Sequence, residues 1–182
     1  MRWWPLVGLP LMMLLGWGVG HGSTPLDDWF QRGRDTGLGW LLFFTDPRTV
    51  LSILAVVVGA ALLRKRWVLA IAVLVTPYAA GWITWWCKLL FDRDKGGALA
   101  YPSGHTTLMV VVLGMTMLVF GAHRWLVVAA IVFASLGMLG QAVTYHYFTD
   151  TVGGLLLGTS LTCVTAILTG VKLGPQRVTM AA

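Results

Sequence analysis

Two histidines and one aspartate stand at the ends of apolar stretches, at a spacing that suits nucleophilic and acid–base chemistry. Pro102–His105 reads Pro-Ser-Gly-His and opens one apolar stretch, while His146 and Asp150 stand where another breaks. On a continuous helical turn, residues four apart share one face. A carboxylate hydrogen-bonded to one imidazole nitrogen fixes the tautomer and leaves the other nitrogen free to attack. The pair therefore predicts His146 as a nucleophile oriented by Asp150.

The segment around His105 predicts an anion site at the start of a helix. Ser103 and Gly104 would occupy the first positions, where backbone N–H groups lack partners and the helix dipole is positive. Glycine lets the backbone approach an anion closely. His105 would lie in the first turn, where its protonated form can donate to a leaving oxygen as a general acid. The alternative is a capping serine followed by an interfacial histidine.

A basic cluster precedes this helix. Lys88, Arg93 and Lys95 fall within eight residues, with Asp92 and Asp94 between them. Cations of this kind neutralise phosphate oxygens and the charge that develops in a transition state. A basic run beside a membrane is also a common headgroup contact. The interleaved acids weaken that second interpretation, so we expect the three cations to bind phosphate.

A metal site is a weaker alternative for the same residues. His105, His146 and Asp150 are all possible ligands. Three nearby cations would repel a divalent ion, however, and suit an anion instead. Cys87 and Cys163 form neither a CxxC pair nor a disulfide framework. We therefore expect no metal and no other cofactor.

The composition identifies the elements that must position these residues. The 182-residue chain is 57% hydrophobic and only 11% charged, with a mean hydropathy of +0.78. A globular core of this length cannot hide so much apolar surface, whereas lipid can face it. The ten Trp suit anchoring at the headgroup level. The net charge of +6 comes from basic residues scattered between apolar runs, which argues for membrane topology and against nucleic acid.

We expect an all-α, polytopic membrane protein with a six-helix transmembrane bundle in one domain, residues 1–182. A span needs roughly 20 apolar residues. The spans are predicted at about Trp3–Val19, Pro47–Leu63, Trp67–Phe91, Ser103–Phe120, Trp125–Tyr145 and Thr151–Val171. Asp46 should cap the second, and Pro77 should kink the third. The first could be a cleaved signal peptide, but no small-residue cleavage site follows it, which favours an uncleaved helix.

Charge distribution predicts that the N-terminus is cytoplasmic and that the site faces outward. The inner loops would then hold Arg2, Arg64, Lys65, Arg66, Arg124, Lys172 and Arg177. The outer loops would hold Arg32, Arg34, Arg48, Lys88, Arg93 and Lys95. Every acidic residue is an Asp and falls on the outer side, so the inner loops are purely cationic. The predicted location is the cell membrane, with an extracytoplasmic active site.

These motifs resemble those of the type 2 phosphatidic acid phosphatase superfamily of membrane lipid phosphatases. The family motifs read KxxxxxxRP, PSGH and SRxxxxxHxxxD, and here they begin at Lys88, occupy Pro102–His105 and end at His146 and Asp150. The resemblance implies a six-helix fold and metal-independent hydrolysis through a phosphohistidine on His146. It implies His105 as the acid to the leaving group. The phosphate-binding residues it implies are Lys88, Lys95, Ser103 and Gly104, with Arg93 as an additional contact.

Two positions depart from the family pattern. Lys95-Gly96 stands where Arg-Pro is usual, which keeps a charge but loses bidentate geometry. The arginine of the third motif would fall at Gly140, and its serine at Leu139. Gln141 could donate a neutral hydrogen bond in its place. An outer-loop arginine could also move in, the candidates being Arg32, Arg34 and Arg48.

The expected substrate is a phosphate ester or diphosphate of a membrane lipid. Trp82, Trp85 and Trp86 border the site, which suits an amphiphile that enters sideways from the bilayer. Polyprenyl diphosphate, a polyprenyl phospho-sugar, phosphatidylglycerophosphate and phosphatidic acid stay open. So does a phosphotransferase that passes the phosphoryl group to another lipid. A rival from another class is a non-enzymatic protein that binds anionic lipid. The sequence leaves the oligomeric state open.

Overall fold

Local sequence signals set where the helices begin. Asp46 accepts hydrogen bonds from the backbone N–H groups of Arg48 and Thr49 at 2.8 and 3.4 Å, with a proline at the first helical position. Ser103 caps the helix that follows it by accepting from the Thr106 N–H at 3.3 Å. The predicted Asp46 cap is therefore confirmed, and the capping serine given as the alternative at Ser103 is also present and fixes the orientation of the residues after it.

The computed structural model describes residues 2–171 and is all-α apart from one small hairpin. The helices are α1 Trp4–Val19, α2 Pro25–Gln31, a 3-10 helix Gly37–Thr45, α3 Pro47–Leu63, α4 Trp67–Phe91, α5 Gly104–Phe120, α6 Arg124–Val143 and α7 Phe148–Leu168. The strands β1 Asp94–Lys95 and β2 Ala98–Leu99 pair antiparallel between α4 and α5. Lys172 and Arg177, which the sequence predicts in the inner loops, lie outside the described residues.

Four helical segments are long and apolar enough to cross a membrane. They are Gly37–Leu63, Trp67–Phe91, Arg124–Val143 and Phe148–Leu168, of 27, 25, 20 and 21 residues. The other two predicted spans are shorter apolar helices, Trp4–Val19 and Gly104–Phe120. At about 1.5 Å per residue these reach roughly 25 Å, below the ~30 Å of a typical hydrocarbon core. The fold is thus all-α, with four helices that could span a membrane.

Helices α5 and α7 form the centre of the bundle. Helix α5 is largely buried, with His105 as its one exposed residue, and packs against α3, α4, α6 and α7, while α1 covers the other side of α7. Small residues bring the two central backbones together, since a Cβ added at Gly158 would lie 2.8 Å from Val110 Cβ and one at Gly154 2.7 Å from the Ser103 carbonyl oxygen. This close approach places the start of α5 beside the start of α7.

The outer faces of the bundle are apolar. Along α4 the exposed large side chains are Trp67, Val68, Ile71, Leu74, Val75, Tyr78, Trp82, Ile83, Trp85, Trp86, Leu89 and Leu90. Water would penalise such a surface, and monomeric soluble proteins rarely show one this extensive. Pro77, predicted to kink this helix, lies inside α4, which continues through it. The exposed faces are consistent with an integral membrane protein.

Candidate active site

The predicted site residues meet at one end of the bundle, which we call the site end. The end of α4, the hairpin, the start of α5 and the loop before α7 come together there. The imidazole rings of His105 and His146 lie 6.2 Å apart, measured between ring centroids. Lys88, Gly104, His105 and His146 all line one cavity of about 710 Å³. Residues separated by up to 58 positions in sequence (146 minus 88) thus share a single cavity.

Asp150 lies beside His146, but through a different local structure from the predicted helical turn. Only Asp150 is inside α7, whereas His146 precedes Tyr147, the N-cap residue. Oδ2 of Asp150 turns back to accept from the Tyr147 N–H at 2.9 Å, as in a capping box. This places Oδ2 at 3.6 Å from His146 Nδ1. The prediction of one shared helical turn is wrong, yet the cap brings the same two groups together.

The His146 ring is positioned with one nitrogen toward the protein. Nδ1 is buried, faces Asp150 and has no hydrogen-bond partner among residues 2–171. At 3.6 Å the distance between Nδ1 and Asp150 Oδ2 is longer than a normal hydrogen bond. A small movement of the ring would bring the two atoms within hydrogen-bonding distance. The backbone N–H of His146 donates to the Gln141 carbonyl at 2.9 Å and so fixes the loop. Because Nδ1 points inward, Nε2 is the nitrogen left to react in the cavity.

Ser103 and Gly104 build the start of α5 against α7. The Ser103 N–H donates to the Asp150 carbonyl at 3.0 Å, and the Ser103 side chain is fully buried by its capping role. Gly104 lies on the cavity wall, so its backbone is the part of this helix start that a ligand can approach. The positive end of the α5 dipole therefore points at the cavity where His105 and His146 face each other.

The two lysines of the basic cluster differ in their position. Lys88 lines the cavity and donates one hydrogen bond to the Leu99 carbonyl, leaving two ammonium protons for other acceptors. Lys95 donates to the His146 carbonyl at 2.6 Å and lies 4.7 Å from the centre of the Tyr147 ring. Lys95 is not among the cavity-lining residues. It holds the loop that carries His146 without lining the cavity.

The environment of Lys95 weakens its hold on a proton. Burial lowers the pKa of Lys95 to about 8, and the charges of Arg34 and Arg93 act in the same direction. The carboxylates of Asp150 and Asp27 oppose this change but do not outweigh it. Lys95 is therefore a cation that loses its charge within a range accessible to an activity assay.

Arg93 is directed into the protein. Its side chain is fully buried and all five guanidinium N–H groups have acceptors. Nε and Nη2 donate to the Gly22 carbonyl at 3.1 and 2.7 Å, and Nη2 also donates to Asp27 at 2.8 Å. Nη1 donates to the Thr149 hydroxyl at 2.6 Å and to Asp150 at 2.7 Å. In this arrangement no donor is left for the phosphate contact that the sequence predicts.

Asp27 belongs to the site and is absent from the sequence-based set. It is fully buried and accepts from the Thr149 N–H at 2.9 Å and the Thr24 N–H at 3.0 Å. Burial alone would raise the pKa of Asp27, but hydrogen bonds from Thr149, Thr24 and Arg93 outweigh it and lower that pKa. The pattern Thr24-x-x-Asp27 is a readable capping signal for α2. Its partnership with Arg93, 66 residues away, has no local signal.

The position of the missing third-motif arginine is filled by the 3-10 helix. A Cβ added at Gly140 would lie 2.7 Å from the Leu41 carbonyl carbon, so glycine lets the backbones of α6 and the 3-10 helix touch. The suggested substitute, Gln141, is buried and donates through Nε2 to the Thr45 hydroxyl at 2.7 Å. Thr45 in turn donates to the Leu42 carbonyl, which fixes the orientation of the amide. The Gln141 amide nitrogen thus donates within the protein, while Oε1 is buried and has no hydrogen-bond partner among residues 2–171.

Among the three outer-loop arginines, Arg34 is the one whose charge acts on a site residue. It lowers the pKa of Lys95. Its segment is held against the site because Gln31 donates to the His146 carbonyl at 3.1 Å and the Arg34 N–H donates to the Gln31 carbonyl at 3.1 Å. The side chains of the three candidates Arg32, Arg34 and Arg48 are all exposed.

The predicted ligands do not form a metal-type cluster. Within residues 2–171, His, Cys, Asp and Glu side chains make no group of three that could hold a metal ion. Cys87 and Cys163 are both free thiols, as expected.

Comparison with protein-family models, curated proteins and solved structures finds no match to this chain. The family resemblance of its motifs therefore stays a prediction. Any functional conclusion rests on the site geometry and on the residues that form it.

Proposed function

We propose that this protein is an integral membrane lipid phosphatase of the type 2 phosphatidic acid phosphatase kind. One observation carries the proposal. Two imidazoles from separate helix starts face each other across a cavity, with a carboxylate behind one of them and Lys88 and the start of α5 on the same wall. A nucleophile, an acid and an anion site within one cavity are what phosphoryl transfer through a histidine requires.

In the first step, the phosphate group lies against Gly104 and Lys88. Nε2 of His146 attacks phosphorus, and the bond from phosphorus to the lipid oxygen breaks. His105, in its protonated form, gives a proton to that leaving oxygen. Asp150 stabilises the positive charge that the His146 ring acquires as its N–P bond forms. The products of this step are the free lipid and a phosphohistidine.

In the second step, water hydrolyses the phosphohistidine. His105, now neutral, takes a proton from the water as its oxygen attacks phosphorus. The N–P bond breaks, inorganic phosphate leaves, and His146 regains its lone pair while His105 is again protonated. The two histidines therefore exchange between charged and neutral forms once in each cycle, and no external reductant or oxidant enters the balance.

The cavity walls favour a lipid over a small soluble phosphate. Beyond the histidines the cavity continues along α4 and α5 with an almost entirely apolar lining. Its other residues include Pro77, Tyr78, Gly81, Trp82, Trp85 and Leu108. An apolar chain attached to the phosphate would exchange water for this surface at roughly 25 cal/mol per Å² buried. The lining thus supports a phosphate ester or diphosphate of a long-chain lipid as the substrate.

The proposal includes six membrane-crossing helices and an outward-facing site. Helices α1 and α5 are short, and α5 can cross because its sides are covered by protein. A single cysteine placed in the loop 93–101, in a background without Cys87 and Cys163, is expected to react with an impermeant thiol reagent added to intact cells. Reaction only after the cells are opened would invert the orientation.

The decisive experiment measures phosphate release by purified protein in detergent. The panel contains a polyprenyl diphosphate, phosphatidic acid, phosphatidylglycerophosphate and, as a soluble control, glycerol phosphate. We expect release from at least one lipid, none from the control, and no loss with EDTA. Loss on chelation that a divalent ion restores would favour the metal alternative. Transfer of label to a lipid hydroxyl instead of water would identify a phosphotransferase, and binding without turnover would identify a non-enzymatic lipid-binding protein.

A further inference from the structure

A buried ionic network lies behind the proposed nucleophile. Arg93 donates to the Asp150 carboxylate at 2.7 Å and to the Asp27 carboxylate at 2.8 Å. All three side chains are fully buried, and none of them lines the cavity. The Thr149 hydroxyl lies 2.6 Å from Arg93 Nη1 and 3.0 Å from each of the two Asp27 carboxylate oxygens, which closes the network. It joins α2, the residue before β1 and the first turn of α7.

The two oxygens of Asp150 have separate partners. Oδ1 accepts from Arg93, while Oδ2 accepts from the Tyr147 N–H and faces His146 at 3.6 Å. The guanidinium therefore fixes the rotation of the carboxyl group that presents Oδ2 to the imidazole. Without this contact, Oδ1 would be a buried charge with no partner, and the carboxyl group would be held only through Oδ2.

Asp27 balances the charge of the guanidinium. Arg93 and Asp150 alone would sum to zero, which would cancel much of the field that reaches His146. With Asp27 the three charges sum to −1 (−1 +1 −1), so the network keeps one net negative charge behind the ring. A net negative charge stabilises the positive imidazole that forms during attack.

We propose that Asp27 and Arg93 are positioning residues that set the orientation and net charge of the Asp150 carboxylate facing His146. This inference rests on the proposed function, in which His146 is the nucleophile. It differs from two simpler roles for the same residues. One is a structural link that only holds α2 to α7, and the other is a direct phosphate contact by Arg93.

Two charge-removing variants separate these roles. Asp27→Asn leaves the network at 0, and Arg93→Gln leaves it at −2. The imidazole must be neutral to attack, and nearby negative charge favours its protonated form. The acid limb of the kcat/KM–pH profile should therefore move to lower pH in Asp27→Asn and to higher pH in Arg93→Gln, each by roughly 0.5–1 unit. In the double variant, with a sum of −1 again, the limb should return toward its original position.

The other charged and titratable groups around His146 are the same in all these proteins. They are Asp150 and Tyr147 beside it in the chain, His105 on α5, Lys88 on α4 and Lys95 on the hairpin. None of them is substituted, so the variants differ from one another only at Asp27 and Arg93. Asp28→Asn is the matched control, because it makes the same change one residue further along α2 at an exposed position. It should leave the acid limb in place.

The kinetic constants distinguish positioning from phosphate contact. Since the network does not line the cavity, kcat should fall by about tenfold or more in Arg93→Gln while KM stays within about twofold. A rise in KM at unchanged kcat would return Arg93 to the phosphate site and overturn the inference. Asp27→Asn, which nearly preserves side-chain shape, carries the test by itself if Arg93→Gln does not fold.

A second measurement needs no turnover. The chain has four histidines, so ring-labelled protein in detergent gives four imidazole NMR signals, and His146→Gln identifies the one of interest. Its titration midpoint should move in opposite directions in the two single variants. If this occurs but no lipid phosphate is hydrolysed, the network stands and the proposed function falls. If phosphate is released but the midpoints shift together or not at all, the network is only a structural link.

Discussion

The two ends of the helix bundle both use arginines, but they use them for different purposes. At the site end, Arg93 is fully buried between two carboxylates. At the opposite end, Arg64 and Arg66 donate to the Val119 carbonyl in the last turn of α5, at 2.7 and 3.3 Å. All three ion pairs found within residues 2–171 lie at the site end. The opposite end satisfies its carbonyl with cations alone.

Helix α5 explains much of this difference. Its N-terminus, with unpaired N–H groups and a positive dipole end, points at the cavity, where an anion is favoured. Its C-terminus carries unpaired carbonyls and a negative dipole end, which the two arginines complement. A cation at the opposite end therefore stabilises the helix, whereas Lys88 at the site end adds to a positive field that only an anion or a carboxylate can balance. From this comparison we expect an anionic substrate to bind at the site end and not at the opposite end.

The largest expected effect is at the proposed nucleophile. His146→Ala should lower kcat at least about 10³-fold, because in the proposed mechanism His146 forms the covalent intermediate while His105 serves as acid and base. A radiolabelled, acid-labile phosphoenzyme should be trapped with the unchanged protein and be missing from the variant. His123→Ala makes the same change at the opposite end, before α6, and should leave turnover intact. Near-normal turnover in His146→Ala would end the proposed mechanism.

The next largest effect concerns the cation on the cavity wall. Removing a charged hydrogen-bond partner of an anion costs about 1.5–3 kcal/mol, or roughly 10- to 150-fold in rate. Lys88→Met should therefore lower kcat/KM on one lipid by that factor at fixed detergent and salt. Arg64→Met at the opposite end should change the melting temperature more than it changes kcat/KM. Equal effects on kcat/KM at the two ends would remove the electrostatic distinction between them.

The helices could be predicted from the sequence where strong local signals mark both ends. The predicted bounds of α3 and α4 agree with the structure to the residue, since Asp46-Pro47 begins one and Arg64 to Arg66 separates the two. Helix α2 and the 3-10 helix were not predicted. They have only seven and nine residues, too few for a periodic pattern to be read.

The sequence could predict which residues of the candidate site lie at the same end of the helix bundle. Placing helix ends on one face was enough to bring His105 and His146 together. The partners of Arg93 were beyond this reasoning, because pairing with Asp27 depends on contacts across 66 residues. The chain leaves α4 at Asp92 with a left-handed φ of 46°, and Arg93 follows directly and is buried, which no cluster of charges in the sequence reveals.

A smaller effect should appear in the pH dependence of Lys95. With a pKa of about 8, its ammonium group is charged below that pH and neutral above it. The kcat/KM value should therefore fall by a few-fold as the pH rises through about 8, and Lys95→Arg should keep its rate to higher pH. Stability should change in the opposite direction. Between about pH 8 and the ordinary lysine range, the unfolded chain binds more protons, so this residue's contribution to stability rises with pH.

Because kcat/KM and stability should change in opposite directions with pH, measuring both distinguishes loss of the Lys95 charge from unfolding. Thermal unfolding and kcat/KM are recorded on the same samples across this range, with Lys65→Arg at the opposite end as the matched control. A fall in both quantities together would mean that the site end is unfolding rather than losing a charge. A basic limb unchanged in Lys95→Arg would assign that limb to another group.

The smallest expected effect tests whether an exposed cation replaces the arginine missing at Gly140. Exposed ion pairs are worth about 0.2–1 kcal/mol, or at most roughly fivefold in rate. Arg34→Ala should lower kcat/KM within that range, since its charge already reaches Lys95, whereas Arg32→Ala and Arg48→Ala should have less effect. The loss should be greater for a diphosphate than for a monophosphate and should shrink as salt is raised, because screening is strongest for exposed charges. If the three variants are equal, or the Arg34 loss is insensitive to salt, no exposed arginine replaces the one missing at Gly140, and Lys88 is the cation that contacts the phosphate.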